Sequence, residues 1–196
     1  MARQKLSPEL KKAISELPEK EKDKLLFRFV AKESILFEQL TFELLEFGET
    51  RTERREEVAE EVPEILERIQ AWRFSPKLLS WGMRKASGRI TRHVRVTKDK
   101  YGEVSLNILM LRKSLELYGE ECATFPDYRT RPAYEYMVKR VLKIGKLLEK
   151  LHEDTMLDFR DDLAYLGEEM IRWPDLVQTA EYLGLDIVSL EGGDWP

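Results

Sequence analysis

The sequence predicts an all-α protein, an irregular helical bundle or a short stack of helix pairs with about seven or eight helices. Three observations carry that prediction. Gly (10) and Pro (8) are scarce in a chain of 196 residues, and the stretches between them are dominated by Leu, Glu, Lys and Arg. Apolar residues recur at three- and four-residue spacing over most of the length. Helix-start and helix-stop chemistry punctuates these stretches. With 42% hydrophobic and 36% charged residues, the chain is too apolar for disorder and richer in charge than an average globular protein. Its length suits a single domain over 1–196, with 186–196 read as a loose tail.

The elements follow in order. Ser7-Pro8-Glu9 offers a capping hydroxyl and then a proline whose missing N–H costs nothing at the first helical position, so a short helix runs to about Leu17. From Lys24, Leu25, Leu26, Phe29, Val30, Leu36, Phe37, Leu40, Leu44 and Phe47 keep helical spacing. The polar Lys32-Glu33-Ser34 either joins two helices or interrupts one. Gly48 is a stop, and Thr50 with Glu53 forms a capping-box pattern. The helix behind it carries Val58, Val62, Ile65, Leu66 and Ile69, with Pro63 as a kink or restart. Ser75-Pro76 repeats the start signal, and Leu79, Met83, Ala86, Ile90 and Val94 extend it into RKASGRITRHVRVTKDK, residues 84–100.

A β-hairpin near 90–108 competes there. Ile90, Arg92, Val94 and Val96 alternate with polar neighbours, as do Val104, Leu106 and Ile108 after a loop-like 98–102. The longer helical stripe favours helix. Val104, Ile108, Leu111, Leu115 and Tyr118 continue it, and 119–131 reads as the clearest interior loop. After Pro132, Met137, Val141, Ile144, Leu148 and Leu151 form an apolar stripe opposite a row of Lys139, Lys143, Lys146 and Lys150. Phe159, Leu163, Leu166 and Met170 keep the register to Trp173-Pro174, and a last helix reaches about Leu183. The helical pairs at 18–47 and 76–118 differ in length and no residue pattern recurs at a fixed period, so a HEAT-like helix-pair stack stands only as the alternative to an irregular bundle.

The formal net charge is −4 and is unevenly spread. Residues 84–100 hold seven Lys/Arg against Asp99, so the remainder sums to −10. Glu43 to Glu67 contributes ten Glu, and Glu149 to Glu169 eight acids. The one cysteine, Cys122, excludes an intramolecular disulfide and a cysteine-rich metal site. No apolar run approaches a membrane span or a signal h-region, so the chain reads as cytoplasmic and without membrane attachment.

On a helix, Arg84, Lys85, Arg89, Arg92, Arg95 and Lys98 spread over one broad face opposite the apolar stripe. Such a face can neutralise phosphates or another polyanion. Gly88 permits close backbone approach, and Trp72, Phe74, Trp81 and Tyr101 are candidate stacking surfaces. The competing expectation is that these cations are answered inside the molecule by Glu53 to Glu67.

Glu149 and His152 have the Glu-x-x-His spacing of carboxylate-bridged metal bundles, but such sites need the motif twice, and Ile90 precedes the only other histidine, His93. Half a motif implies no metal, and the absence of a glycine-rich phosphate loop leaves no sign of a phosphate-bearing cofactor. Cys122 lacks a nucleophile signature, and carboxylate pairs such as Glu60/Glu64 have nothing to desolvate them. No catalytic residue is assigned.

The segment TAEYLGLDIVSLEGG resembles, over about a dozen residues, the helix-turn-helix of bacterial DNA-binding proteins. Ala180, Leu183, Gly184 and Leu185 match its first helix and turn, and Leu190 a core position of the second. The recognition helix that the resemblance implies would carry Asp186 and Glu191, no basic residue, and meet Gly192-Gly193 at once, which suits no phosphate-lined groove. The segment reads as a helix end with a Gly cap.

The expected function is therefore that of a soluble helical binding or scaffold protein mediating protein–protein contact. Nucleic-acid or polyanion binding through 84–100 is the alternative, and an enzyme with a site around His93 or His152 comes second to it.

Overall fold

The computed structural model describes residues 5–71 and 74–192. Among them are eleven α-helices and no strand: α1 Pro8–Glu16, α2 Glu19–Lys32, α3 Ser34–Leu44, α4 Arg51–Glu67, α5 Pro76–Thr97, α6 Lys100–Ala123, α7 Asp127–Leu148, α8 Glu153–Leu157, α9 Arg160–Ile171, α10 Pro174–Tyr182 and α11 Ile187–Glu191. A 3₁₀ turn over Arg68–Ala71 extends α4. The count exceeds seven or eight because Lys32-Glu33-Ser34 separates two helices and because two five-residue helices, α8 and α11, are too short to show a period.

Local chemistry sets the helix starts. The Ser7 and Ser75 side chains accept hydrogen bonds from the amides of Leu10 and Leu78, at 3.2 and 3.4 Å, each with proline next in sequence. Thr50 departs from its capping box: its hydroxyl donates to the Glu46 carboxylate, and Arg54 clamps the same carboxylate with two further bonds. Gly48, at φ 73°, turns the chain before α4.

α6 is the centre. It packs against α4, α5, α7 and α9 and buries residues on nearly every side, among them Leu106, Ile108, Met110, Leu111 and Tyr118. A helix apolar all round is stable only inside a bundle. Each such side chain contributes roughly 1.5–3 kcal/mol when taken fully from water. Tyr118 keeps its polar end satisfied by donating to the Leu66 carbonyl at 2.6 Å.

Residues 90–108 are not a hairpin. α5 and α6 are long helices joined by Lys98-Asp99 alone. The residues buried near the end of α5 are Ile90, His93, Val96 and Thr97, at helical spacing. Two of them are polar, which is why the apolar pattern mimicked alternation.

The loop expected at 119–131 shrinks to Thr124–Pro126, since α6 runs on through buried Gly119 and Cys122 and α7 starts at Asp127, taking Pro132 within its second turn. The loose tail expected at 186–196 begins instead with α11, whose Ile187 and Leu190 are buried against α9. Residues 193–196 lie outside the described residues. Gly184, at φ 77°, closes α10 with the Leu185 amide on the Ala180 carbonyl at 2.9 Å, the glycine cap expected there.

Candidate anion-binding groove

α5 carries its cations on the side facing α3, α4 and α7. Their fates divide. Arg89 makes two bonds to the Glu61 carboxylate of α4, at 2.5 and 2.6 Å. Arg92 grips Glu38 of α3 through Nε and a terminal nitrogen. The expected internal answer from Glu53 to Glu67 therefore holds for Arg89, while Arg92 is answered from an unforeseen helix.

Arg84, Lys85 and Arg95 have no carboxylate within ion-pair distance among the described residues. Arg84 lies over the Tyr136 ring, its guanidinium carbon 5.0 Å from the centroid, and Lys85 lies 5.2 Å from the Trp81 ring centroid. Lys98 sits apart in the α5–α6 turn, where its ammonium donates to the Arg95 carbonyl at 2.8 Å.

Five of the six sequence candidates, all but Lys98, line one open groove of about 670 Å³ between α5 and α7, with Ile35 of α3 at its edge. α7 adds Tyr136 and Arg140. Arg140 donates to the Tyr136 hydroxyl from two nitrogens, at 2.8 and 3.1 Å, and the hydroxyl donates to Ser87 at 2.8 Å. The Tyr136 ring thus lies near two guanidiniums, an arrangement that holds both in place without neutralising either. Among the described lining residues there is no acid.

Gly88 forms part of the floor, and a Cβ built there meets no atom within 4 Å. None of Lys139, Lys143, Lys146 and Lys150 lines this groove; Lys139 pairs with Glu135 at 2.9 Å and Lys143 with Glu103 of α6 at 2.5 Å. Of the candidate stacking aromatics, Phe74 is stacked on Tyr118 with centroids 4.8 Å apart and Tyr101 packs on Phe159. Trp81 is exposed but lines a neighbouring apolar recess with Ile65 and Ile69. Trp72 lies outside the described residues. The groove offers charge and a few apolar walls, not a row of open rings.

Beside it, His93 and Asp99 are buried together. The His93 ring donates from Nε2 to Asp99 at 3.2 Å, Asp99 accepts from the Gly102 amide at 2.9 Å, and Arg55 stands 3.6 Å away. Burial alone would raise the Asp99 pKa, but the His93 bond, the Gly102 amide and the Arg55 charge outweigh it and hold the carboxyl below its ordinary value. An ionised carboxylate with both oxygens occupied caps α6 and orients His93. It is poorly suited to proton transfer at neutral pH.

Cys122 is buried, its thiol pushed up to about 12 by desolvation. The Glu149–His152 pair does not share a helix, since α7 ends at Leu148 and the exposed His152 instead caps α8. Among the described residues, no three of His, Cys, Asp and Glu are placed to hold a metal ion, and no helix is long and apolar enough to cross a membrane.

No protein-family model matches the chain, and no curated protein and no solved structure is significantly similar to it.

Proposed function

We propose that this is a binding protein whose α5–α7 groove receives an acidic segment of a protein partner. The observation that carries the reading is Gly88. A glycine inside a helix costs about 0.5–1 kcal/mol relative to alanine, and other helical glycines here have a packing reason: a Cβ at Gly82 would meet Ile69 and one at Gly119 would meet Trp173, both at 2.5 Å. Gly88 has no such neighbour and lies on the floor of a groove lined by Arg84, Lys85, Arg95 and Arg140. A close-approaching ligand supplies the reason that packing does not.

Charge and reach favour a short acidic peptide over a nucleic acid. At 1.5 Å per residue, Arg84 and Arg95 stand about 16 Å apart along α5. The protein as a whole is acidic, at −4, and α4 beside the groove is rich in Glu, which repels a long polyphosphate running past either end. Carboxylates already satisfy Arg89 and Arg92 on this face, and Ile35 provides an apolar contact of the kind that a mixed acidic and apolar segment uses.

The test is fluorescence anisotropy with a labelled Glu/Leu peptide and a single-stranded RNA of equal length. Salt-sensitive peptide binding that weakens at least about tenfold in Arg84→Glu/Arg95→Glu, a loss of about 1.4 kcal/mol, and much less in the off-groove Lys146→Glu, is the expected result. Equal losses in both variants, or no binding, refute the groove. Preference for RNA transfers the site to nucleic acid.

A further inference from the structure

α1 and α2 bury no residue at all, although both are patterned for burial. On α1, Leu10 and Ile14 lie four apart and form a narrow stripe with the flanking Leu6 and Leu17. On α2, at 100° per residue, Leu25, Phe29, Leu26, Val30 and Phe27 span an arc of about 200°. That is about twice the stripe with which a surface helix faces one core. α2 meets the rest of the molecule chiefly through α3, and Phe27 stays 67% exposed, Phe29 56% and Leu26 51%. Phe37 of α3, 56% exposed, continues the surface.

We infer that this arm is the interface for a second copy of the same chain, the two α1–α2 pairs packing together so that each α2 gains a second neighbour. Area supports that occupant. Three Phe side chains of about 150–250 Å² each, more than half open, together with Leu6, Leu10, Ile14 and Leu26, offer roughly 600–700 Å² per protomer. That approaches the ~800 Å² per partner of a stable complex and exceeds the apolar patches most monomers expose.

Charge selects the same occupant. Residues 5–33 hold eight Lys/Arg and six acids, interleaved. A two-fold interface sets each patch against itself, so mixed signs can complement one another. A lipid surface calls for a polar face that is predominantly cationic, and an acidic or basic partner would leave half of these charges opposed.

The test is the solution mass of the full chain by sedimentation over a dilution series. A dimer that dissociates on dilution is expected. Leu26→Glu/Phe29→Glu raises its dissociation constant by at least about tenfold, the effect of losing a hot-spot contact, and leaves far-ultraviolet circular dichroism unchanged because neither side chain is buried. Leu10→Glu/Ile14→Glu on α1 is the second variant, with the same expected loss. A monomer at every concentration, a dimer that both variants leave intact, or a monomer that floats with vesicles of acidic lipid overturns the assignment. Peptide affinity at the α5–α7 groove, measured on the same samples, reads the proposed function separately.

Discussion

Replacing Gly88, Gly82 and Gly119 by alanine makes one chemical change at three helical positions, and the structure assigns a different outcome to each. At Gly88 the new methyl meets nothing within 4 Å, so the full propensity gain of about 0.5–1 kcal/mol appears. For a chain of this size that raises the Tm by about 1–4 °C. At Gly82 the methyl lands 2.5 Å from Ile69 Cδ1, the far end of a flexible side chain, and relief of that contact offsets the gain, leaving a change near zero. At Gly119 it lands 2.5 and 2.7 Å from two atoms of the Trp173 indole. A rigid ring system must then shift, as overpacking of this kind costs roughly 1–3 kcal/mol. Urea denaturation of the three variants, with m-values compared to confirm a common unfolded state, measures the series. A destabilised Gly88→Ala, or a Gly119→Ala as stable as the parent, would refute the reasoning. Peptide affinity measured on Gly88→Leu then asks whether that vacant space is where the ligand sits.

Asp99→Ala removes a helix cap, takes the charge partner from Arg55 and leaves the buried His93 N–H only the Thr97 hydroxyl, at 3.4 Å, as an acceptor, so denaturant unfolding should show a loss of about 2–4 kcal/mol; a loss below ~1 kcal/mol contradicts the buried node. Glu46 has its pKa lowered to about 2 by hydrogen bonds from Arg54 and Thr50. Its stabilising contribution is thus complete above the ordinary carboxylate pKa and is lost as pH falls from about 4.5 through 2. Stability measured at pH 7, 4 and 3 should fall less steeply in Glu46→Gln than in the parent, and identical slopes would remove Glu46 from the acid response. Cys122 should resist a thiol reagent in the native protein and react on unfolding, because burial both shields the sulfur and raises its pKa; rapid native labelling would place it elsewhere.

What was legible in the sequence was local. Ser7-Pro8 and Ser75-Pro76 announce helix starts because hydroxyl, amide and proline ring lie within one turn of each other. The all-α class follows from a period that needs no tertiary knowledge. Thr50 misled because its hydroxyl had two partners within reach and took the Glu46 carboxylate, a preceding side chain that the capping box does not consider. Residues 90–97 looked ambiguous because His93 and Thr97 occupy core positions, and only their bonds to each other and to Asp99 make that burial tolerable. The groove was half legible. Its α5 cations stand in one run of sequence, whereas Arg140 and Tyr136 arrive from a helix some fifty residues away. Their one signal was an arginine four residues after a tyrosine, set off from the Met137, Val141 and Ile144 stripe. Which cations are neutralised depended on Glu38 and Glu61, and no spacing rule couples those to Arg92 and Arg89.

The Lys98-Asp99 turn also orders events in time. Two helices of 22 and 24 residues joined by two residues make contact at almost no loop-closure cost, whereas docking α3 or α4 onto α5 must close longer stretches of chain. The α5–α6 pair is therefore expected to form early, with α7 joined to α6 by only three residues, and to present the surface on which α4 and α9 settle. On that order, weakening the Asp99 cap should slow refolding and loosening the Glu46–Arg54 clamp should mainly hasten unfolding, which stopped-flow kinetics of the two variants would measure. A two-residue connection between helices of this length is thus expected to bear on how fast the rest of the molecule forms, as well as on how it holds together.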